Sequence, residues 1–478
     1  MLNYGVYING QWEKADGEII EVTNPATGEL VGTVPSVSRD VVKKAINAAH
    51  EAFPVWSKLS ASHRSQALFR WHQLIEKHKE ELAEILTTEQ GKPLKEARAE
   101  IADASGYVAW YAAEAQRIYG ETLEGATANR RIFVIRQPIG VVAAITPWNF
   151  PASMITRKIA PALAAGCTVV LKPASQTPLT AAFLMKLFDE AEFPPGVANL
   201  VTGSAGLIGE EFLENKLVRK ISFTGSTEVG KMLMKGAADQ VKRISMELGG
   251  HAPIIVFHDA DLKSAVSAAV RMKFLNAGQT CICVNRILVE ESIAEEFTKL
   301  FVERVEKLKV GHGLDEGTQI GPLIDEKAVA RSETHIADAL KKGARLATGG
   351  NRLTEGKLAK GYFFQPTVLT GVTNDMAIMH EETFGPVAPI LTFKDEEEAI
   401  RLANDSDYGL ASYWYTKDIS RAWRVSEALE YGMVGLNDIA LGAVQAPFGG
   451  IKQSGIGREG GHQGLDEFLE VKQIALCL

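Results

Sequence analysis

The sequence has few cysteines, no long apolar run and no block of like charges. Only four of its 478 residues are cysteines, and they are unevenly spread, whereas secreted disulfide-stabilised domains are rich in cysteine. No window approaches the roughly 18 uninterrupted apolar residues of a membrane-spanning helix, and the N-terminus has no apolar segment of the signal-peptide type. We therefore predict a cytoplasmic protein whose cysteines stay reduced.

Charge and histidine placement exclude further classes of protein. The formal net charge of -8 comes from interspersed acidic and basic residues, so the chain offers neither a basic stripe for nucleic acid nor a polybasic cluster for a membrane. The ten histidines are scattered, and none stands at ligand spacing from the cysteines, so we predict no metal site. The remaining composition, 46% hydrophobic and 23% charged, is typical of a soluble protein of two or three domains.

The apolar pattern divides the chain into regions. A strand-rich start over residues 1–35 precedes amphipathic helices over 39–117, which we interpret as scaffold. Apolar strands then alternate with helices, and a second such set begins near residue 250. This alternation predicts an α/β protein with parallel, doubly wound sheets, which bind ligands beyond the carboxyl ends of their strands. Two boundaries are specific: one helix should end at Gly166, and the next should have Thr177 as its N-cap and Pro178 in its first turn.

A glycine-rich segment, FTGSTEVGKM at residues 223–232, follows a predicted strand and opens a predicted helix. Its spacing nearly matches a phosphate-binding P-loop, but Met232 stands where a Ser or Thr hydroxyl would bind Mg²⁺. The dinucleotide fingerprint G-x-G-x-x-G is also absent, because Gly203, Gly206 and Gly209 have the wrong spacing. Gly225 and Ser226 still predict a phosphate contact, since backbone N–H groups and the helix dipole attract anions to a helix N-terminus.

Two of the four cysteines, Cys281 and Cys283, lie together in GQTCICVNR. A metal site, a disulfide and a reactive thiol are alternative interpretations of this pair. A thiol nucleophile needs a base nearby and hydrogen-bond donors for the oxyanion that forms when it attacks a carbonyl. Cys281, Glu247 in MELGGHAP and Asn149 in ITPWNFP offer that set.

The sequence resembles the aldehyde dehydrogenase superfamily over essentially its full length, through FTGSTEVG, MELGG, GQTC, EETFGP and PFGGIKQSGIGRE in that order. The resemblance implies that Cys281 attacks the aldehyde to form a thiohemiacetal, whose oxyanion is held by the Asn149 side chain and the Cys281 backbone N–H. Hydride then passes to a nicotinamide, and Glu247 activates the water that hydrolyses the thioester. Lys158 is expected to lie on a proton route.

The same resemblance implies the residues that contact the cofactor. Lys172 is expected to bind the adenosine ribose, and Trp148 and Ser226 to line the pyrophosphate. Glu382 and Phe384 are expected to hold the nicotinamide ribose and ring. The complete predicted cofactor set is Trp148, Lys172, Ser175, Gly203, Gly225, Ser226, Glu382 and Phe384.

One position in this set predicts the choice of cofactor. Family members usually carry a glutamate shortly after the lysine that Lys172 matches, and this carboxylate accepts the 2′-hydroxyl of NAD while it repels a 2′-phosphate. The chain has Ser175 instead. A small neutral donor beside Lys172 should admit the phosphate, so we expect NADP+ to be used well and favoured, with NAD+ as the alternative.

Within the superfamily, PWNFPASMITRK, LKPAS and GQTCICVNR are most similar to succinate-semialdehyde dehydrogenases, which bind the distal carboxylate with two arginines and a serine. Arg157 matches the first arginine, but Leu275 replaces the second and Gly442 stands at the serine position. A charge-assisted hydrogen bond contributes about 1.5–3 kcal/mol, so one lost arginine should weaken discrimination about tenfold to a hundredfold. We expect succinate semialdehyde first, with neutral aliphatic or aromatic aldehydes as the alternative.

The second cysteine, Cys283, also has two interpretations. Some succinate-semialdehyde dehydrogenases form a reversible disulfide between the nucleophile and a cysteine two residues later, which stops the enzyme. Such a disulfide closes a small ring and should be strained and easily reduced, which suits a redox switch. Alternatively, Cys283 is a small buried apolar residue.

The resemblance also implies three structural parts and an oligomer. We predict an NAD(P)-binding domain with a Rossmann-like sheet, an α/β catalytic domain and a small β oligomerisation flap that builds a homodimer or homotetramer. The predicted bounds are 1–117 and 139–249 for the first part, 250–449 for the second, and 118–138 and 450–478 for the flap.

Three other functions are alternatives to this interpretation. A CoA-acylating dehydrogenase would use the same thiol but would not need a base, so Glu247 favours hydrolysis. Met232 argues against a P-loop kinase. A non-catalytic protein of the same fold would tolerate loss of Cys281, Glu247 and Asn149, all of which are present.

Overall fold

The structure is a computed structural model that describes residues 1–14 and 17–478. The α-helices of these residues are α1 (Arg39–Trp56), α2 (Ala61–Lys77), α3 (Lys79–Gln90), α4 (Leu94–Glu114), α5 (Ser153–Ala165), α6 (Pro178–Glu190), α7 (Ala205–Glu214), α8 (Thr227–Ala237), α9 (Leu262–Phe274), α10 (Ala294–Val305), α11 (Glu326–Lys341), α12 (Glu396–Asn404), α13 (Ile419–Ala428) and α14 (Gln463–Asp466). The strands are β1 (Leu2–Asn3), β2 (Val6–Ile8), β3 (Gln11–Glu13), β4 (Ile19–Thr23), β5 (Leu30–Pro35), β6 (Glu121–Glu124), β7 (Arg130–Pro138), β8 (Val141–Ile145), β9 (Thr168–Lys172), β10 (Ala198–Leu200), β11 (Val218–Thr224), β12 (Arg243–Glu247), β13 (Ala252–Val256), β14 (Val284–Glu290), β15 (Arg345–Thr348), β16 (Thr367–Thr370), β17 (Val387–Phe393), β18 (Tyr408–Gly409), β19 (Ala411–Tyr415), β20 (Met433–Leu436), β21 (Ile451–Lys452), β22 (Gly455–Ile456) and β23 (Leu469–Cys477).

The first large sheet has eight strands in the order β22-β12-β11-β8-β9-β10-β2-β3. Its central strands β12, β11, β8, β9 and β10 are parallel to one another. Strand β8 is buried on both faces, because Val142 and Ala144 pack into one core and Val141 and Ala143 into another. The chain order reverses between β8 and β11, and open sheets of this type bind ligands at such a reversal.

The second large sheet has seven strands in the order β15-β16-β17-β14-β13-β19-β20. All neighbouring strands are parallel except β15, which pairs antiparallel with β16. Its buried residues form a separate hydrophobic core, to which α9 and α10 contribute. The two parallel sheets confirm the predicted α/β fold.

A third, smaller sheet has three strands in the order β23-β7-β6. Strand β23 pairs antiparallel with β7 over its whole length, from Leu469 opposite Pro138 to Cys477 opposite Arg130. Within the predicted flap segment 450–478, only β23 joins this sheet, because β22 pairs with β12 at the edge of the eight-stranded sheet. The division into three domains at the stated boundaries stays a prediction.

The predicted helix boundaries differ in their outcome. Helix α5 ends at Gly166, whose φ of +98° lies in the left-handed region that favours glycine. Helix α6 begins at Pro178 directly after Thr177, but the Thr177 side chain does not cap it; its hydroxyl donates instead to the Trp148 carbonyl at 3.5 Å. In residues 1–14 and 17–478, no helix combines the length and apolar character needed to cross a membrane.

Candidate active site

Cys281 lies in the turn between the 3₁₀ segment Leu275–Gly278 and β14, and its side chain is partly buried. Burial raises the pKa of this thiol to about 12, and the carboxylates of Glu382 and Glu247 act in the same direction, while Arg157 opposes them. This shift favours the protonated form of the thiol. The thiol needs a base before it can act as a nucleophile.

The backbone before Cys281 is held in an unusual conformation. Asn276 and Ala277 have φ values of +50° and +54°, which are uncommon for residues other than glycine. Hydrogen bonds stabilise this turn, because the Asn276 N–H donates to Glu96 Oε2 at 2.9 Å and the Gln279 side chain donates to the Asn276 carbonyl at 3.0 Å. The turn thereby fixes the start of the segment that carries the thiol.

Asn149 follows β8 and is buried. Its side-chain nitrogen Nδ2 donates to the Gln279 carbonyl at 3.0 Å, so the amide reaches the segment that carries Cys281. Its own carbonyl accepts from Lys92 Nζ at 2.7 Å and from Asn276 Nδ2 at 3.0 Å. An amide nitrogen has two protons, so Asn149 can also donate to a ligand oxygen.

Glu247 ends β12 and is buried. Its Oε2 atom has no hydrogen-bond partner among the described residues, and burial together with the neighbouring Glu459 raises the pKa of the carboxyl well above its usual range. A Cβ atom at Gly449 would lie only 2.7 Å from Glu247 Oε1, so a glycine is needed beside the carboxylate. Lys158 on α5 is buried and donates to Glu459 Oε1 at 2.5 Å.

A cavity of about 820 Å³ contains Cys281 and the predicted substrate residues in its lining. Arg157, Leu275 and Gly442 all contribute to its wall, although they come from α5, the end of α9 and a distant loop. The structure therefore brings together every residue that the sequence assigned to the substrate.

Arg157 is the buried cation of this cavity. Its guanidinium lies 4.6 Å from the ring centroid of Tyr107 and 4.5 Å from that of Phe448. Nη2 donates to Asp103 Oδ2 at 3.3 Å, whereas Nε and Nη1 have no acceptor within the described part of the chain. Because buried donors are normally paired, this side chain is suited to bind an anionic ligand.

Four predicted cofactor residues follow the carboxyl ends of neighbouring parallel strands. Trp148 follows β8, Lys172 ends β9, Ser175 lies in the next loop and Gly203 follows β10. The Ser175 hydroxyl donates to the Gly203 carbonyl at 3.5 Å, which joins two of these loops. Burial lowers the pKa of Lys172 to about 8, and none of the described carboxylates forms an ion pair with it.

Gly225 and Ser226 connect β11 to α8, on the other side of the chain reversal. The Gly225 N–H donates to the Glu247 carbonyl at 3.0 Å. Ser226 is the N-cap of α8, and its hydroxyl accepts from the Val229 N–H at 3.4 Å. These residues therefore hold the predicted helix N-terminus at the edge of the crevice between β8 and β11, where the chain order reverses.

Glu382 and Phe384 come from the second large sheet, just before β17. Glu382 Oε1 accepts from the Gly250 N–H at 3.1 Å, and burial raises the pKa of Glu382 to about 7. Phe384 has a φ of +52° and meets Trp148 edge to face, with ring centroids 5.5 Å apart. The two sheets therefore meet across the crevice.

These features suit a nicotinamide dinucleotide. The crevice lies at a chain reversal between parallel strands, where such ligands bind. A helix N-terminus at Ser226 can face a phosphate, and the buried ammonium of Lys172 lacks an anionic partner among the described residues.

Cys283 is completely buried, and both it and Cys281 are free thiols. Its sulfur donates to the Lys273 carbonyl at 3.5 Å. This packing accommodates the interpretation of Cys283 as a small core residue. The regulatory disulfide stays a prediction.

Several residues of this region were missed by sequence reasoning. Lys92 and Glu100 lie beneath Asn149, and Gly449 and Glu459 surround Glu247. Lys92 stands in the short segment QGKP and Gly449 in PFGG. Glycine and proline beside a charged or apolar residue are signals of a fixed turn, and they could have drawn attention to both segments.

Sheet and thiol together define a doubly wound α/β protein with a cysteine-lined cavity beside a dinucleotide-type crevice. The sequence profile of the aldehyde dehydrogenase family matches residues 12–474. The chain belongs to the aldehyde dehydrogenase family and is an NAD(P)-dependent oxidoreductase that acts on a small aldehyde. This confirms the family predicted from the sequence.

Individual relatives cover nearly the whole chain. Glutarate-semialdehyde dehydrogenase of Pseudomonas putida is 54% identical over 473 residues, which are 99% of this chain and 97% of that protein. Succinate-semialdehyde dehydrogenase GabD of Escherichia coli, whose name specifies NADP(+), is 54% identical over 98% of this chain and 97% of its own. The crystal structure of an E. coli NADP-dependent enzyme has a TM-score of 0.98 at 53% identity and covers 100% of this chain and 98% of that one.

Proposed function

We propose that this enzyme oxidises an aldehyde with a remote carboxylate, first of all succinate semialdehyde, to the carboxylic acid. The observation that carries this proposal is Arg157, a buried guanidinium with unpaired donors in the same cavity as Cys281. A substrate carboxylate bound to Arg157 would direct the opposite, aldehyde end of the molecule toward the thiol. Relatives named for glutarate and succinate semialdehyde act on molecules of this chemical type, which supports the proposal.

Cys281 is the nucleophile in this proposal. Glu247, one of the carboxylates near the thiol, accepts its proton and passes it to the Lys158 and Glu459 route. The sulfur then attacks the aldehyde carbon, and a thiohemiacetal forms.

The Asn149 side chain and the Cys281 N–H donate to the new oxyanion. Negative charge on this oxygen develops as the transition state forms, so these two hydrogen bonds lower the barrier. A nicotinamide held by Trp148, Glu382 and Phe384 would supply a hydride acceptor, so that collapse of the oxyanion would leave a thioester on Cys281.

Glu247 completes the reaction as the base for hydrolysis. Its unpaired Oε2 can accept a proton from water, and the raised pKa of the carboxyl brings it closer to the pH at which a general base is most effective. The water oxygen attacks the thioester carbon, the C–S bond breaks and Cys281 is regenerated. Lys158 and Glu459 lie beside Glu247 and provide the proposed proton route.

We also propose that NADP+ is favoured over NAD+. Ser175 leaves no carboxylate to repel a 2′-phosphate, and the buried Lys172 ammonium, unpaired within residues 1–14 and 17–478, offers that phosphate a cation. The E. coli relative whose name specifies NADP(+) supports this preference.

A neutral aliphatic or aromatic aldehyde is the second candidate. Leu275 adds apolar surface to the cavity wall, and Gly442 contributes no side chain there. A volume of about 820 Å³ accommodates molecules larger than a four-carbon semialdehyde.

One comparison of substrates tests the proposal. Succinate semialdehyde and butanal have the same chain length but differ in charge, so kcat/KM should be measured for both, with NADP+ and with NAD+. We expect a clear preference for the semialdehyde and for NADP+. Equal or reversed preference for butanal would replace the first substrate by the second candidate, and negligible NADP+ turnover beside NAD+ would overturn the cofactor assignment.

A homo-oligomer and a cytoplasmic location complete the proposal. Strand β23 is the edge of the small sheet, and its exposed residues include Val471, Ile474 and Leu476. An apolar edge strand of this kind can pair with a second copy. The mass of the particle in solution, measured before and after charged residues replace Val471 and Ile474, tests this assembly.

A further inference from the structure

A buried ion pair lies directly beneath the proposed oxyanion-binding residue. The ammonium of Lys92 donates to Glu100 Oε2 at 2.6 Å and to the Asn149 carbonyl at 2.7 Å, and it lies 3.7 Å from the centroid of the Phe150 ring. The side chains of Lys92 and Glu100 are 0% and 1% exposed. Their contacts are therefore well shielded from water.

Glu100 connects this ion pair to α5. Its second oxygen, Oε1, accepts from the Ala152 N–H at 2.8 Å and from the Ser153 N–H at 3.3 Å. These are the free N–H groups at the start of a helix, where a carboxylate is electrostatically favoured. Because α5 carries Arg157 and Lys158, the ion pair supports the helix that reaches both the cavity and the neighbours of Glu247.

The Lys92 backbone is also fixed in place. The Lys92 N–H donates to the Gln90 side-chain oxygen at 3.0 Å, and Gln90 Nε2 donates to Asn276 Oδ1 at 3.0 Å. Gly91 has a φ of +97°, and a Cβ atom there would lie 2.6 Å from Pro322 Cγ. The glycine therefore allows a sharp turn that delivers Lys92 to Asn149.

We propose that Lys92 is a positioning residue, which sets the orientation of the Asn149 amide toward the oxyanion. This inference rests on the role of Asn149 in the proposed function. Lys92 and Asn276 donate to the Asn149 backbone carbonyl, and the Asn149 side chain donates to the Gln279 carbonyl. Hydrogen bonds therefore constrain both the backbone and the side chain of Asn149. A misplacement of about 1 Å in an active site can cost about a hundredfold in rate.

The contacts argue for more than a stabilising role. A buried ion pair is often no more stable than well-packed apolar residues of the same volume. Here the ammonium is shared between a carboxylate and the carbonyl of a residue at the candidate site, which gives it a function in orientation. That function predicts an effect on aldehyde turnover that does not extend to cofactor binding.

The test uses the full-length enzyme with Lys92→Met and Glu100→Gln combined, so that no buried charge is left unpaired. We expect kcat/KM for the aldehyde to fall about tenfold to a hundredfold. The KM for the cofactor and the rate of Cys281 alkylation by iodoacetamide should stay unchanged. If this variant does not fold, Lys92→Gln with Glu100→Gln replaces it, and Lys92→Arg, which retains a cationic donor, should keep more activity than either.

A double-mutant cycle with Asn149→Ala identifies the route of the effect. If Lys92 acts through Asn149, removal of the ion pair costs little further activity once the amide is absent. Independent, multiplicative losses, or an unchanged kcat/KM in the ion-pair variant, would overturn the inference. Full activity of Asn149→Ala alone would instead overturn the proposed mechanism, so the two failures are distinguishable.

A second buried lysine provides a matched control. Lys220 has a 0% exposed side chain and pairs with Glu467 at 3.3 Å, in contact with neither the cavity lining nor Asn149. Lys220→Met with Glu467→Gln should change thermal stability while kcat/KM stays within about twofold of the parent enzyme. A loss of kcat/KM equal to that of the Lys92 variant would show a general effect of buried ion pairs and would overturn the inference.

Discussion

Two buried arginines in different parts of the molecule are paired very differently. Arg286, on β14, has five hydrogen bonds, and its acceptors are the carbonyls of His251, Leu402, Ala403 and Asp405 and the hydroxyl of Tyr431. Arg157 donates only to Asp103 and leaves Nε and Nη1 without acceptors among the described residues. A fully paired buried charge serves the scaffold, whereas an incompletely paired one beside a cavity is suited to a ligand.

Two buried glutamates repeat this difference. Glu89 accepts from the Leu179 and Thr180 N–H groups at 2.7 and 2.8 Å, at the start of α6. Burial raises its pKa to about 7, although these donors oppose the shift. Glu247 has an Oε2 atom with no donor in the described residues, and Glu459 raises its pKa further. In both comparisons, the incompletely paired buried charge lies at the candidate site, and the fully paired one lies in the scaffold.

The largest effect should come from Glu247→Gln. Loss of a general base lowers kcat about a hundredfold to ten-thousandfold, while the melting temperature should not fall, because the variant removes a buried charge that repels Glu459. In the parent enzyme, kcat should rise with pH as Glu247 loses its proton. Glu89→Gln is the matched control and should lower stability but retain turnover. A normal kcat for Glu247→Gln would contradict its role.

Arg286→Met should have the next largest effect, on stability. Several buried acceptors lose their donor, so the free energy of unfolding should fall by about 3–5 kcal/mol. Denaturant unfolding at one protein concentration measures this loss. The preference for succinate semialdehyde over butanal should not change in the folded enzyme, and a changed preference would show that a fully paired arginine also affects the cavity.

Arg157→Met should change the substrate preference and leave stability nearly unchanged, which is the opposite of the effect expected for Arg286→Met. Loss of the charge-assisted contact is expected to reduce the ratio of kcat/KM for succinate semialdehyde to that for butanal about tenfold to a hundredfold. Stability should change little, because Asp103 is the one acceptor that loses a hydrogen bond from Arg157. Arg271→Met is the control, since this exposed arginine also lines the cavity. An equal loss for both variants would assign the preference to general charge.

The smallest expected effect is a pH dependence of cofactor choice. The pKa of Lys172 is lowered to about 8 by burial, and a bound phosphate would raise it. Affinity for NADP+ should therefore be full below pH 8 and decline above it, by at most about tenfold per pH unit, as the ammonium loses its proton. KM for NADP+ and NAD+, measured from pH 7 to 9.5, should diverge. Parallel curves would remove Lys172 from phosphate binding.

The sequence predicted the local structure and the residues that line the cavity better than the distant residues that hold them in place. The α/β alternation, the end of α5 at Gly166 and the residues of the cavity followed from pattern and from family resemblance. Lys158 and Glu459 are separated by 301 residues, and no local pattern joins them. Thr177 shows a related limit, because its hydroxyl had two possible partners and only tertiary structure selects the Trp148 carbonyl.

The C-terminal segment, residues 448–477, affects the order in which this enzyme can be built. Strand β22 pairs with β12 beside Glu247, Glu459 binds Lys158, and β23 pairs with β7. During translation, Cys281 and Glu247 leave the ribosome before β22, Glu459 and β23, which lie further along the chain. A nascent chain therefore carries the thiol without the surroundings of the base. We therefore expect aldehyde oxidation to begin only after residues 448–477 have been synthesised and have paired with β12 and β7.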